Sequence, residues 1–233
     1  MKKKKQMISR KIIFFVVMIF LLLSCYPDLE NYDYLVDPII TEEDSLNMIV
    51  IIKEGDPQLI TGNIFKILFK TFKTIERNNF NIEISPFRIR WELKDEKDPN
   101  NCLAHYGIPV PTEIDSIPEV IKKDNPEVKL ENWKYGTIGK ILHIGSYETE
   151  KESILKLEKY IENNHYTIIS KLEEEYLRGP GFFTEGDPDE YYTIIRYLIK
   201  SDSLIYQDSL QIDIIDSLSA KQKIDSSSFK NRN

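Results

Sequence analysis

The stretch "LEEEYLRGPG", Leu172 to Gly181, sets three glutamates in a row ahead of a tyrosine, in a segment of strand composition that runs into a Gly-Pro-Gly turn. Alternate side chains of a strand point to opposite faces, so Leu172, Glu174 and Tyr176 share one face while Lys171, Glu173 and Glu175 share the other. The second set is charged throughout and is expected to be solvated. The first mixes an apolar residue, an acid and a phenol, as ligand-lining surfaces do. A carboxylate beside a phenol can hold a buried cation, or it can serve as general acid or base while the phenol donates a hydrogen bond to a reacting oxygen. The segment "FRIRWEL" supplies a matching face in Phe87, Ile89 and Trp91, with Arg88, Arg90 and Glu92 opposite. Trp91 and Tyr176 are expected to flank a cleft with Glu174 between them, each aromatic contact to a flat or cationic ligand contributing about 0.5–2 kcal/mol. Tyr147, in "HIGSY", opens a helix near a strand end and is a further candidate for that cleft, or a packing residue. His143, inside the apolar run "ILHIG", reads as a hydrogen-bonded core residue. Cys102, His105, His143 and His165 have no close metal-ligand spacing, and "EGDPDE" lacks that of a calcium loop, so neither a metal nor a cofactor is expected. No Gly-x-Ser-x-Gly, phosphate loop or defensible Ser/His/Asp order is present.

The elements that must position these residues occur twice. Asn78-Asn79-Phe80 recurs as Asn163-Asn164-His165, and the same offset pairs Phe87 with Leu172, Ile89 with Glu174, and Trp91 with Tyr176. The first unit opens with the apolar run "MIVIIKEGD". Ile64, Ile67, Leu68, Thr71, Phe72 and Ile75 then follow at helical spacing, a helix that the Asn pair can close with a left-handed cap. Strand-like "FNIEIS", "FRIRWEL" and "CLAHYGIPV" complete it. The second unit runs "GTIGKILHIG", the helix "ETEKESILKLEKYIE", "YTIISKLEEEYL" and "YYTIIRYLI". Two strand-helix-strand-strand units predict an α+β fold, one antiparallel sheet with two helices on one face and a central cleft. The units span about residues 46–111 and 136–200, and a proline-interrupted linker carries the crossover between them.

Both ends are read as attachments to a domain over residues 46–200. The basic start "MKKKKQMISRK" precedes a 12-residue apolar run, shorter than the roughly 20 residues that span a bilayer, and reads as a signal peptide over residues 1–24. Its end, "LLLSC", resembles the lipobox of bacterial lipoproteins; that resemblance implies cleavage before Cys25, lipid on Cys25, and an extracytoplasmic, membrane-anchored location. Removing residues 1–24, with six basic residues and no acid, leaves 25 basic against 38 acidic residues, a charge of −13 where the full chain has −7. That balance disfavours nucleic acid and anionic lipid headgroups as partners. Membrane attachment must therefore come from the lipid. With Cys25 lipidated, Cys102 has no partner for a disulfide and reads as a small buried hydrophobe. Residues 25–45 have the composition of a tether, and residues 201–233 that of a polar, partly disordered tail. Nothing in the sequence fixes an oligomeric state.

The order "ILHIGSY", helix, "EEEYLRGPG", acidic loop, "TIIRYLI", together with "SPFRIRW" and "YGIPV", resembles the GyrI-like (AraC effector-binding) ligand domains over residues 46–200. The resemblance implies the duplicated SHS2 fold and a cleft between the repeats that takes small, often cationic, hydrophobic molecules. It places the ligand-binding glutamate at the Glu-x-Tyr step, here Glu174. Some members hydrolyse reactive electrophilic compounds, which would make Glu174 and Tyr176 catalytic. The family often carries an acid where His105 and Tyr106 stand, a departure that bears on the polar contribution of the first repeat. Three functions follow as expectations: a lipid-anchored small-molecule-binding domain, a hydrolase, and a structural or partner-binding lipoprotein with a vestigial cleft.

Overall fold

The computed structural model describes residues 29–78, 82–93, 102–179 and 186–206. The signal peptide, Cys25, Asn79-Phe80, the Pro180-Gly181 turn and most of the tail lie outside the described residues. Among the described residues nine strands form, β1 (Ile39–Glu43), β2 (Leu46–Gly55), β3 (Phe87–Leu93), β4 (Cys102–Val110), β5 (Lys129–Trp133), β6 (Gly136–Ile144), β7 (Tyr166–Ile168), β8 (Glu173–Arg178) and β9 (Tyr192–Ser201). The helices are α1 (Pro57–Asn78), α2 (Glu119–Asp124) and α3 (Glu150–Asn163). All strand pairs are antiparallel, in the order β1-β6-β9-β8-β3-β4-β2-β5, with β7 on the far end of β9. The fold is α+β, with the unit β2-α1-β3-β4 repeated as β6-α3-β8-β9. The repeats join at β3 and β8, where Ile89 lies opposite Glu174 and Phe87 opposite Tyr176.

Each helix forms because an apolar stripe finds its own half of the same sheet face. On α1, Asp56 accepts the Gln58 N–H at 2.9 Å and Pro57 takes the first helical position, where its missing N–H costs nothing. Ile64, Leu68, Phe72 and Ile75 then pack on Ile49, Ile51, Ile89, Tyr106 and Ile108. On α3, Leu157 and Ile161 pack on Ile141, Ile195 and Ile199. Burying each such side chain contributes about 1.5–3 kcal/mol. Gly139 of β6 lets α3 approach, since a Cβ there would sit 2.7 Å from Ile161 Cδ1. The left-handed residue that closes α3 is His165, at φ 63°, and not an asparagine. The two helices meet the sheet on either side of the β3–β8 seam, α1 reaching it with Phe65.

Four expectations are corrected. The tether assigned to residues 25–45 is folded from residue 29 onward: a 3-10 segment, Leu29–Leu35, buries Leu35 against Leu142, Leu177 and Ile194, and β1 pairs with β6. The linker supplies α2 and β5, which pairs with β2, so each repeat gains one extra edge strand. The described part of "FNIEIS" is irregular, and "YTIISKLEEEYL" divides into β7 and β8, with Ser170 Oγ accepting the Leu198 N–H at the break.

The fourth correction concerns Glu173 and Glu175, which were expected in solvent and are buried; Glu173 is 1% exposed. The registers explain it, because Arg88 lies opposite Glu175, Arg90 opposite Glu173, and Glu173 opposite Arg196. Glu173 accepts from Arg90 Nε at 2.7 Å and from the Tyr135 hydroxyl at 2.8 Å. Glu175 pairs with Arg88 at 3.0 Å and with Arg196, which also reaches Glu43 at 3.2 Å. Lys140 holds Glu43 at 2.7 Å, and the Arg90 guanidinium lies 4.0 Å over the Trp133 ring. Burial disfavours these charges, and mutual pairing offsets the penalty. Arg88, Arg196 and Lys140 hold Glu43 ionised, below the ordinary carboxylate range, against the opposing effect of its burial.

Candidate functional site

At the seam, pleat geometry sends Glu174 to the helix face, and the sheet register sets Ile89 of β3 and Ile195 of β9 on either side of it. Tyr176 lies one step along β8 and donates its hydroxyl proton to Glu174 Oε2. Trp91 lies on the other side of Ile89, beside Leu172, whose carbonyl accepts the Trp91 N–H at 2.9 Å. The Trp91 indole N–H is buried and aids the Glu174 anion without meeting full hydrogen-bond geometry. Glu174 is 6% exposed.

Aromatic rings gather along the same seam. Phe65 of α1 lies 4.4 Å from Phe87 and 6.5 Å from Tyr176, centroid to centroid. Tyr106, fully buried on β4, meets Trp91 edge-on at 6.2 Å, and its hydroxyl accepts from Thr61 at 3.3 Å. Tyr147, in the turn before α3, meets Tyr176 edge-on at 6.0 Å and Tyr191 at 5.3 Å. It is the exposed wall of the cluster, 40% accessible. Gly179 makes room for its hydroxyl, which a Cβ at that position would approach to 2.8 Å.

Sequence reasoning passed over Glu150. The first residue of α3, it is 8% exposed and its carboxyl is hydrogen-bonded to that of Glu174. The signal was available: Glu150 lies on the helical stripe of Ile154, Leu157 and Ile161, so the periodicity that buries those residues buries it too. Tyr191, the other ring against Tyr147, was likewise not singled out.

Burial first, and then the Glu174 charge, push Glu150 up to about 8. Glu174 is also raised by burial, against the opposing hydrogen bonds from Tyr176, Trp91 and Glu150. Burial and the neighbouring carboxylate hold the Tyr176 phenol well above its ordinary range, and burial and Tyr191 do the same for Tyr147. The two carboxyls share a hydrogen bond in which Glu150 donates to Glu174, and Glu174 also accepts from the Tyr176 phenol. Such an arrangement can accept a cation, or deliver and take back a proton.

The remaining polar candidates have other partners. His143 is buried, with Nε2 donating to the Ser146 carbonyl at 3.0 Å and Nδ1 hydrogen-bonded to the Ser153 hydroxyl at 3.0 Å, as a satisfied core histidine is. Cys102 is buried and free, and His105 points to the opposite face beside Arg90. A cavity of about 250 Å³ opens near Trp91, with Arg90, Glu92, His105, Ser170 and Leu198 in its wall; it does not include Glu174, Glu150 or Tyr176.

No protein-family model and no curated protein matches the chain. Solved structures do. An uncharacterized conserved protein from Listeria innocua is 19% identical over 74% of this chain and 97% of its own, with a TM-score of 0.62. A hydrolase from the same organism is 18% identical over 74% and 96%, with a TM-score of 0.60. The C-terminal domain of EcmrR is 14% identical over 71% and 98%, with a TM-score of 0.52. With the duplicated unit, the single antiparallel sheet and the two helices flanking its central seam, the chain has the fold of the GyrI-like, effector-binding domains.

Proposed function

We propose that the chain is a lipid-anchored, extracytoplasmic domain that binds small hydrophobic cations at the β3–β8 seam. One observation carries the reading: a buried carboxyl, Glu174, has Trp91, Tyr176 and Tyr147 around it, while no basic side chain contributes to its charge state. A ligand cation would supply the missing counter-charge, and the rings would supply stacking and cation-π contacts. Ile89 and Leu172 would form the apolar floor. Entry requires Tyr147, the exposed wall, to swing out. Thermal unfolding against a panel of amphiphilic aromatic cations tests the reading, since a ligand at about 100 times its Kd stabilises the folded state by roughly 2.7 kcal/mol. A melting temperature unmoved by any of them would sink it. The lipid anchor rests on "LLLSC" alone and is tested separately: mass spectrometry of the membrane-extracted protein should find residues 1–24 removed and acyl chains on Cys25.

A second reading, a hydrolase of electrophilic compounds, draws support from the unequal pair of carboxyls. Glu150, protonated, would donate a proton to the leaving group, Glu174 would activate water, and Tyr176 or Tyr147 would stabilise developing negative charge. Turnover of an activated ester or strained electrophile by the wild type, abolished in Glu174→Gln, would distinguish it from binding alone. A purely partner-binding role is less well supported, because the seam carries two carboxyls and a phenol where a vestigial cleft would be sealed with apolar side chains.

A further inference from the structure

Glu150 and Glu174 come from different elements, the start of α3 and the middle of β8; both are nearly dry, 8% and 6% exposed, and their carboxyls are hydrogen-bonded to each other. Oxygen atoms of two carboxylates cannot share such a contact without a proton between them. Glu150 Oε1 is buried and receives no hydrogen bond from an N–H or hydroxyl donor of the described residues. The groups around the pair are Tyr176 on β8, Trp91 on β3, Tyr147 in the turn before α3 and Tyr197 on β9, whose hydroxyl is already given to Glu158 at 3.0 Å. His143 on β6, near α3, has both ring nitrogens engaged. The three phenols and the indole are neutral in their ordinary state, and the ionisable groups that act on the pair add only negative charge. The site therefore has two stable fillings, a proton or a cation.

We propose that Glu150 is a second acidic binding residue, and that the site is a proton-for-cation exchanger in which each monocation bound expels the proton shared by Glu150 and Glu174. This rests on the cation-binding reading above. It also sharpens the ligand class. Permanently charged aromatic cations, such as quaternary ammonium compounds, leave both carboxylates to one positive centre. A ligand whose charge is spread over a planar fork of N–H donors, such as an amidinium, can also donate to Glu150 Oε1. Neutral hydrophobes gain nothing from the exchange.

The test is calorimetric titration of the intact mature domain with benzyltrimethylammonium, which carries no exchangeable proton, in buffers of different ionisation enthalpy. About one proton should be released per cation near pH 6–7, and fewer above about pH 9, where the pair has already lost it. Affinity should rise about tenfold per pH unit below about pH 8 and then level off. Glu150→Gln keeps the shape and an N–H donor to Glu174 but has no proton to lose, so it should bind with no proton release and a flat pH profile. Tight binding by the wild type with no proton release, at unchanged affinity from about pH 6 to 9, overturns the exchange and leaves the cation site standing. No binding of this or any larger aromatic cation at any pH overturns both. For the unliganded protein, a carboxylic-acid C=O stretch should persist in the infrared at neutral pH and vanish in Glu150→Gln; its absence from the wild type also overturns the shared proton.

Discussion

Replacing Glu150 by glutamine should change how stability depends on pH, and the size of the change follows from the site. Burial and the Glu174 charge raise the Glu150 carboxyl from an ordinary 4.5 to about 8. A carboxyl raised in the folded state holds its proton more tightly there than in the unfolded chain. Its contribution to stability is therefore complete below about pH 4.5 and is lost as pH rises through about 8. One pKa unit corresponds to about 1.4 kcal/mol, so the whole span is on the order of 5 kcal/mol, and about 2.7 kcal/mol of it falls between about pH 5.5 and 7.5. Glu150 is 8% exposed, so solvent screening reduces this little. Glu150→Gln removes the like charge and the proton together. Urea unfolding across that window should give a wild-type curve that falls, relative to the variant, by about 1.4 kcal/mol per pH unit. Carboxylates outside the pair titrate equally in both proteins and cancel. Parallel curves would refute the shared proton, whatever their vertical offset.

Three further perturbations test other parts of the structure. Arg196→Ala leaves Glu173 and Glu175 in a dry setting short of a cation and should cost about 3–5 kcal/mol in urea unfolding, whereas a solvated glutamate face would give less than about 1 kcal/mol. Leu35→Ala should cost about 2–5 kcal/mol, because Leu35 is fully buried against Leu142 and Ile194; no loss would return residues 29–43 to the role of a tether. Cys102 is buried, with burial raising its thiol, so it should react with a thiol reagent only at the rate of unfolding, and prompt labelling in the native state would contradict its placement.

Much of this arrangement is legible in the sequence, and the failures have physical causes. The duplicated unit shows in the matching Asn pairs and in the helical spacing of Ile64 to Ile75, because local periodicity is fixed by which face must be buried. Alternation also separates Glu174 from its two neighbours. What alternation cannot say is whether the opposite face is wet. That depends on which residues lie across from Glu173 and Glu175, and on what covers them: Arg88, Arg90 and Arg196 through the register, Tyr135 through a hydroxyl, and the Leu29–Leu35 segment through long-range packing. The pairing was within reach, since an antiparallel twofold at Ile89 and Glu174 sets Arg88 opposite Glu175 and Arg90 opposite Glu173. The N-terminal segment was not. Its acids and proline hide a short apolar set, Leu29, Tyr32 and Leu35, that has meaning only against the finished sheet. Glu150 was obscured by a local rule, because acids at a helix start are usually solvated partners of the helix dipole.

The account stands or falls on where a cation sits. A crystal structure of the mature domain with an aromatic quaternary ammonium ligand should place the charged nitrogen within about 6 Å of the ring of Trp91 or Tyr176 and against Glu174, with Tyr147 displaced outward. A ligand found instead in the cavity beside Arg90 and His105, with Glu174 still closed under Tyr176, would contradict it.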